Sequence, residues 1–347
     1  MRYLVCISAL VAMATVALGQ AAPSGQAKTA PAARKAPATT SWTQPKTPWG
    51  DPDLQGTWTG DDCIGTPMQR PVNLGERLYY SEQELAQRQA NLEKQQQTDL
   101  VETVANQDVN TGPPPHWVER ARRPCKQTSL IIDPANGRMP DVLPEAKTRP
   151  VGAGPGDNNP KTDSWEDFGY YIRCISRGVP GSILPIIYGN GQQIVQGKGF
   201  VTILQEMVHE ARVIPLDGGP HAGPDIRSYM GDPRGHWEGN TLVVETTNFL
   251  GNRTGINSNG DGTPTSDALT LTERYTRIAP NEMRYELTVD DPKTFAKPFK
   301  VGFPLTQEPG YRNFEYACHE GNYAMFDSLS GARALEKKAA AKAAEKK

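Results

Sequence analysis

The chain lacks most of the short motifs that announce a chemistry. It has no Gly-x-Ser-x-Gly, no phosphate-binding glycine loop ending in Lys-Ser or Lys-Thr, no Cys-x-x-Cys, and no His-x-His or His-Glu-x-x-His. A nucleophile elbow, a P-loop nucleotide site and a zinc ribbon therefore have no support. No single element can offer two histidine ligands to a metal. A basic stripe is also missing: 37 Lys and Arg are interspersed with 39 Asp and Glu for a net charge of −2, so nothing in the charge pattern attracts a nucleic acid. Only one long apolar run exists, Leu4 to Leu18, broken by Ser8 and Thr15. At about 15 residues it is shorter than the ~20 that span a bilayer as a helix. No repeat is evident.

What is present at the ends points to export. Arg2 precedes the apolar run, and Ala17-Leu18-Gly19 supplies the small-x-small pattern of a cleavage site, so a signal peptide over residues 1–19, cut after Gly19, is expected. Cys6 lies inside the apolar run, which excludes a lipoprotein signal. Residues 20–49 are rich in Ala and Pro and read as a disordered linker, and 334–347 as an Ala/Lys-rich tail. The mature protein is expected in the periplasm or outside the cell, with no stable membrane anchor. Its four remaining cysteines, Cys63, Cys125, Cys174 and Cys318, allow three pairings. The arrangement predicted is Cys174–Cys318, both in strongly patterned segments, with Cys63–Cys125 in the N-terminal half.

Between the tails, 33 Gly and 30 Pro in the whole chain imply many turns. Residues 50–333 read as one all-β domain with an irregular and helical insertion at about 60–185. Ser81-Glu82-Gln83-Glu84 is a capping box opening a helix that runs towards Gln97. Strands are predicted at Asp53 to Trp58, Phe200 to Met207, Ala211 to Leu216, Leu269 to Arg277, Met283 to Val289, Lys297 to Leu305 and Asn313 to Cys318. His236 to Glu245 reads as a hairpin turning at Gly239-Asn240, with Trp237 facing Leu242 and with His236, Glu238, Thr241 and Val243 on the opposite side. Consecutive short strands predict an antiparallel meander, and closing such a sheet removes its edges. The expected fold is a lipocalin-like antiparallel β-barrel with an N-terminal helix and long ordered loops. Gly56-Thr57-Trp58 resembles the opening of lipocalin-type barrels.

Several stretches resemble a large family of exported proteins of acidobacteria and proteobacteria. They are Thr128 to Pro134 with Gly137 to Pro140, Arg173 to Gly181, His209 to Gly218, Gly235 to Val244, and Tyr316 to Tyr323. The resemblance covers residues 50–333. It departs from the family pattern at Gly219, where an Arg usually precedes Pro-His, so an anion contact made by that Arg would be lost. The resemblance implies boundaries and site candidates and brings no activity.

Four of the five histidines, His209, His221, His236 and His319, lie between 209 and 319, three of them beside or near a carboxylate in Glu210, Glu238 or Glu320. Such pairs suit acid–base work near neutral pH. The expected catalytic set is His221, His236, Glu238, His319, His209 and Glu210. Arg212, Tyr229, Trp237 and Glu320 are expected to bind substrate. For His236 a merely solvated face carries equal weight, and for His209 a packed or surface role is favoured. No cofactor is predicted, although three His and a carboxylate could hold a divalent metal. The expected function is an exported lyase, isomerase or hydrolase acting on a small organic or glycosidic substrate. The alternative is a non-catalytic lipocalin-like binder of a small apolar or aromatic ligand.

Overall fold

A computed structural model describes residues 42–99, 118–149, 162–251, 255–256 and 262–345. The expected signal peptide, its cleavage site and most of the 20–49 linker lie outside the described residues. Ten strands form two antiparallel sheets. Strand β1 (Gly56–Trp58), β3 (Gln192–Gly197), β4 (Phe200–Gln205) and β5 (Ala211–Pro215) form the smaller, in that order. The larger runs β2 (Ile131–Asp133), β10 (Phe299–Thr306), β9 (Glu282–Asp290), β8 (Thr270–Ala279), β7 (Thr241–Thr247) and β6 (Asp232–Glu238). Among the described residues the strands do not form one continuous hydrogen-bonded barrel. They make two layers joined at one corner, where Thr59 and Thr306 exchange backbone hydrogen bonds of 2.9 and 2.8 Å. At the other corner β5 lies beside β6, so closely that a Cβ on Gly235 would sit 2.8 Å from Ile214.

Alternation fixes which side chains fill the space between the layers. Ile194, Val201, Ile203 and Ile214 face inward from the smaller sheet, and Leu242, Val244, Leu271, Tyr275, Met283, Tyr285, Leu287 and Val301 from the larger one; all are buried. The hairpin register is Trp237 against Leu242 and His236 against Val243, with Gly239 at φ +60° in the turn. Trp237 thus packs on the core, and His236 and Glu238 point outward.

The core also contains charge. Arg212 on β5 and Glu273 on β8 form a bidentate pair across the two sheets, with 2% and 0% of their side chains exposed. The hydroxyls of Tyr275 and Tyr285 donate to the same Glu273 oxygen at 2.7 and 3.2 Å, and Arg212 also reaches Thr246. Arg212, expected to bind substrate, is therefore enclosed in the core.

The helical insertion is smaller than its loops. Helix α1 (Glu82–Asp99) starts at the expected capping box, where Glu84 N–H donates to Ser81 Oγ and Ser81 N–H donates back to Glu84. Short helices α2 (Pro144–Lys147) and α3 (Gly178–Ile183) follow, and α4 (Tyr323–Ala344) closes the described chain, so part of the expected tail is helical. Residues 313–318, expected as a strand, are irregular. Their polar groups engage side chains and the turn after β4 instead of a neighbouring strand: Phe314 N–H donates to Glu206, and the Tyr316 carbonyl lies 3.2 Å from His209 Nδ1. Both expected disulfides are present, Cys63–Cys125 and Cys174–Cys318. Bridges of this kind belong in an oxidising compartment. Among the described residues no helix is long and apolar enough to cross a membrane.

The buried pair generates a prediction. Glu273→Gln or Arg212→Ala leaves one desolvated charge alone and should cost about 3–5 kcal/mol in urea unfolding. Arg212→Met combined with Glu273→Leu should recover most of that loss. A single variant as stable as the wild type would contradict the arrangement.

Candidate functional site

A cluster of carboxylates lies at one end of the smaller sheet, built by segments far apart in sequence. Asp61 follows β1 in a 3-10 turn ending at Cys63, Asn190 sits just before β3, Glu206 immediately follows β4, Glu119 lies at the edge of the insertion, and Tyr311 follows β10. Asn190 is the hub. Its Nδ2 donates to Asp61 Oδ1 at 2.8 Å, reaches Glu119 Oε2 at 3.3 Å, and donates to the Ile186 carbonyl at 2.6 Å. Two carboxylates are thereby brought to one amide nitrogen.

Glu206 receives three donors: Gly191 N–H at 3.1 Å, Phe314 N–H at 2.8 Å and the Tyr311 hydroxyl at 2.5 Å. Any side chain at 191 would displace this carboxylate, because a Cβ there would fall 2.4 Å from Glu206 Oε2 and 2.6 Å from Asn313 Oδ1.

The electrostatics follow from burial and like charge. Asp61 and Glu206 are 8% and 7% exposed, and Glu119 is partly exposed. Burial raises the Glu119 carboxyl, the charges of Asp61 and Glu206 raise it further, and it reaches about 7 despite hydrogen bonds from Gly189 N–H and Asn190. Burial also raises Asp61, against hydrogen bonding from Asn190. The same surroundings push the Tyr311 phenol upward, first through burial and then through Glu206. A carboxyl that titrates near neutrality beside a second carboxylate can both give and take a proton.

The turn between β4 and β5 adds a rim. Val208 and His209 both have positive φ, +59° and +47°, a conformation uncommon for any residue but glycine and costly for a β-branched one. The turn is held by Gln205 N–H donating to the Glu210 carbonyl at 2.9 Å and by the His209–Tyr316 contact. The His209 and His319 rings lie 6.5 Å apart, beside the Cys174–Cys318 bridge, and burial raises the Glu210 carboxyl. Tyr171 and Tyr188 share a hydroxyl contact of 3.1 Å nearby, and Tyr171 is pushed up by burial and by its tyrosine neighbours. His209, Glu210 and His319 thus lie on segments that also build the carboxylate cluster.

The other expected residues lie elsewhere. His221 is held between Asp232 Oδ2, 3.0 Å from Nδ1, and Glu245 Oε1, 3.1 Å from Nε2, at the β6–β7 edge. His236 is 60% exposed on the outer face of the larger sheet, with Glu238 between it and Arg274. Tyr229 packs edge-on against Tyr170 with centroids 4.7 Å apart, and Glu320 is exposed. His221, His236 and His319 have different neighbours and are not brought together by the fold. Among the described residues no group of three or more His, Cys, Asp or Glu is arranged to hold a metal ion.

The sequence reading passed over Asp61, Glu119, Asn190, Glu206 and Tyr311. Glu206 did leave a signal, a carboxylate at the end of the apolar run Phe200 to Met207, and Asp61 stands two residues from a bridged cysteine. Compared with known proteins, the chain matches no family profile, no curated protein and no solved structure.

Raised carboxyls make stability depend on pH in a defined sense. Glu119 binds its proton more tightly in the folded protein than in the unfolded chain. Its stabilising contribution is complete below the unfolded value of about 4.3 and is lost as pH rises through about 7. Stability should therefore fall between about pH 5 and pH 8, and Glu119→Gln should flatten that slope, gaining on the order of 1–3 kcal/mol over the wild type at pH 8. Urea melts at the two pH values test this, and an unchanged slope in the variant would contradict it.

Proposed function

We propose that the protein is an exported acid–base enzyme, a lyase, isomerase or hydrolase, whose proton-transfer group is Glu119. The observation that carries this reading is a partly buried carboxyl raised to about 7, held with Asp61 at one Asn190 amide. Near neutral pH Glu119 is divided between its acid and its base form, the condition under which one group serves both half-reactions. Asp61 is the second carboxylate at the reacting centre. Glu206 and Tyr311 are positioning residues, since Glu206 is already engaged by three donors. His209, Glu210 and His319 form the adjoining rim, where a His/carboxylate pair can exchange protons with solvent.

The substrate class follows from charge and shape. Three clustered carboxyls disfavour an anionic substrate and leave a neutral one the better fit. Tyr311 donates to Glu206, and Phe314 is 74% exposed with its ring edge-on to Tyr311. Aromatic faces beside paired carboxyls suit a small neutral organic or glycosidic substrate. The two layers, joined at the Thr59–Thr306 corner and apposed at β5 and β6, are read as a flattened lipocalin-like barrel with this site at one end. The export signal and the two disulfides support action in the periplasm or outside the cell after cleavage at Gly19, and the resemblance to the exported acidobacterial and proteobacterial family accords with that location.

The test is turnover of neutral aryl glycosides and related small neutral substrates by the wild type and by Glu119→Gln. The variant should lose about 10²- to 10⁴-fold in rate, and the wild-type rate should show an ionisation near pH 7. Full activity in Glu119→Gln would remove Glu119 from the mechanism.

A further inference from the structure

We infer a second binding site, on the outer face of the larger sheet, for a planar aromatic acid carrying a hydroxyl opposite its carboxylate. A cavity of about 450 Å³ opens there, within the range of small-molecule sites. Its floor is a low spot in the sheet. On β9 and β10 the outward positions pair Glu286 with Gly302 and Arg284 with Pro304, and the glycine and proline project little above the backbone. At Gly302 the floor is covered by Ile132, whose Cδ1 lies 2.7 Å from where a Cβ would stand.

One wall is the segment 123–127. It is pinned by the Cys63–Cys125 bridge and by Gln127 Nε2 donating to the Gly302 carbonyl at 2.7 Å. Tyr79 and Ile278, 60% and 43% exposed, add apolar surface. A flat floor between an exposed tyrosine and an exposed isoleucine fits a ring better than a branched chain.

Charge sets the orientation. Of the cations lining the cavity, Arg123 is engaged by the buried Asp62 carboxylate, and Arg284 lies 3.7 Å from Glu286. Lys126 has no ion-pair partner among the described residues, and Gln127 beside it is tied to Gly302. Of the acids lining the cavity, Glu282 has no ion-pair partner among the described residues. It faces Thr306, four residues along β10 from Gly302, or about 13 Å. One end of the cavity thus offers a free ammonium and the other a free carboxylate. A ligand carboxylate takes Lys126, the ring lies over Pro304 beside the Ile132 side chain, and the far hydroxyl donates to Glu282. Adjacent aspartates divide the two sites, with Asp61 facing Asn190 and Asp62 facing Arg123.

Calorimetric titration with p-hydroxycinnamate tests the site, with p-hydroxycinnamyl alcohol as the uncharged control. The acid should bind saturably with a Kd between about 1 µM and 1 mM, and the alcohol at least tenfold more weakly. Lys126→Gln, an exposed change that leaves the melting temperature in place, should weaken the acid about tenfold or more and leave the alcohol unchanged. Glu282→Gln should weaken p-hydroxycinnamate more than cinnamate. Saturable binding that Lys126→Gln does not alter, equal binding of acid and alcohol, or no saturation by about 1 mM would each overturn the assignment.

Discussion

The fold turns on one buried ion pair. Arg212 and Glu273 join the two sheets through the middle of the core, and the hydroxyls of Tyr275 and Tyr285 complete the carboxylate's bonding. A pair this deeply buried adds little net stability over an apolar equivalent, because desolvation offsets the attraction, but it strongly penalises any arrangement in which the partners separate. Arg212 stands two residues after Glu210. Its inward lock therefore sets the register of β5 against β4, and with it the turn carrying Glu206, His209 and Glu210. The exposed end of the smaller sheet is oriented by a contact at its centre.

The cluster at that end works against stability. Asp61, Glu119 and Glu206 gather negative charge in a desolvated place, and the turn beside them holds Val208 in a left-handed conformation. Both features destabilise the folded state locally, and both persist because surrounding structure over-determines them. The Gly191 contact, the Cys174–Cys318 bridge and the Glu206 hydrogen bonds from residues 311–314 provide that constraint. Like charge and strain gathered at one place in an otherwise well-packed sheet are the features on which the proposed acid–base function rests.

Much of the architecture was legible in the sequence. Alternation gave β4, β5, β8, β9 and β10 to within a few residues, the Gly239-Asn240 turn gave the hairpin register, and Ser81 to Glu84 gave the start of α1. The division into two sheets was not legible, because it depends on hydrogen bonds between strands distant in sequence, such as β1 with β3 and β2 with β10. Residues 313–318 alternate like a strand but spend their polar groups on Glu206 and His209, a choice made by tertiary neighbours. The carboxylate cluster was hidden for the same reason. Glu206 at the end of an apolar run and Asp61 near a bridged cysteine were the local signals, and the chemistry of Asp61, Glu119, Asn190 and Glu206 arises only where four segments meet. The histidines drew the eye because they stand beside carboxylates in sequence, yet residues i and i+2 on a strand, such as His236 and Glu238, share a face and end in solvent together.

Glu119 titrates near neutrality first because burial desolvates its carboxyl and then because the Asp61 and Glu206 charges stand near it. The most direct measurement is the carboxyl ¹³C titration of Glu119 by NMR, in the wild type and in Asp61→Asn. The midpoint should lie near 7 in the wild type and clearly lower once the Asp61 charge is removed. A wild-type midpoint in the ordinary glutamate range, or one that Asp61→Asn leaves in place, would contradict it.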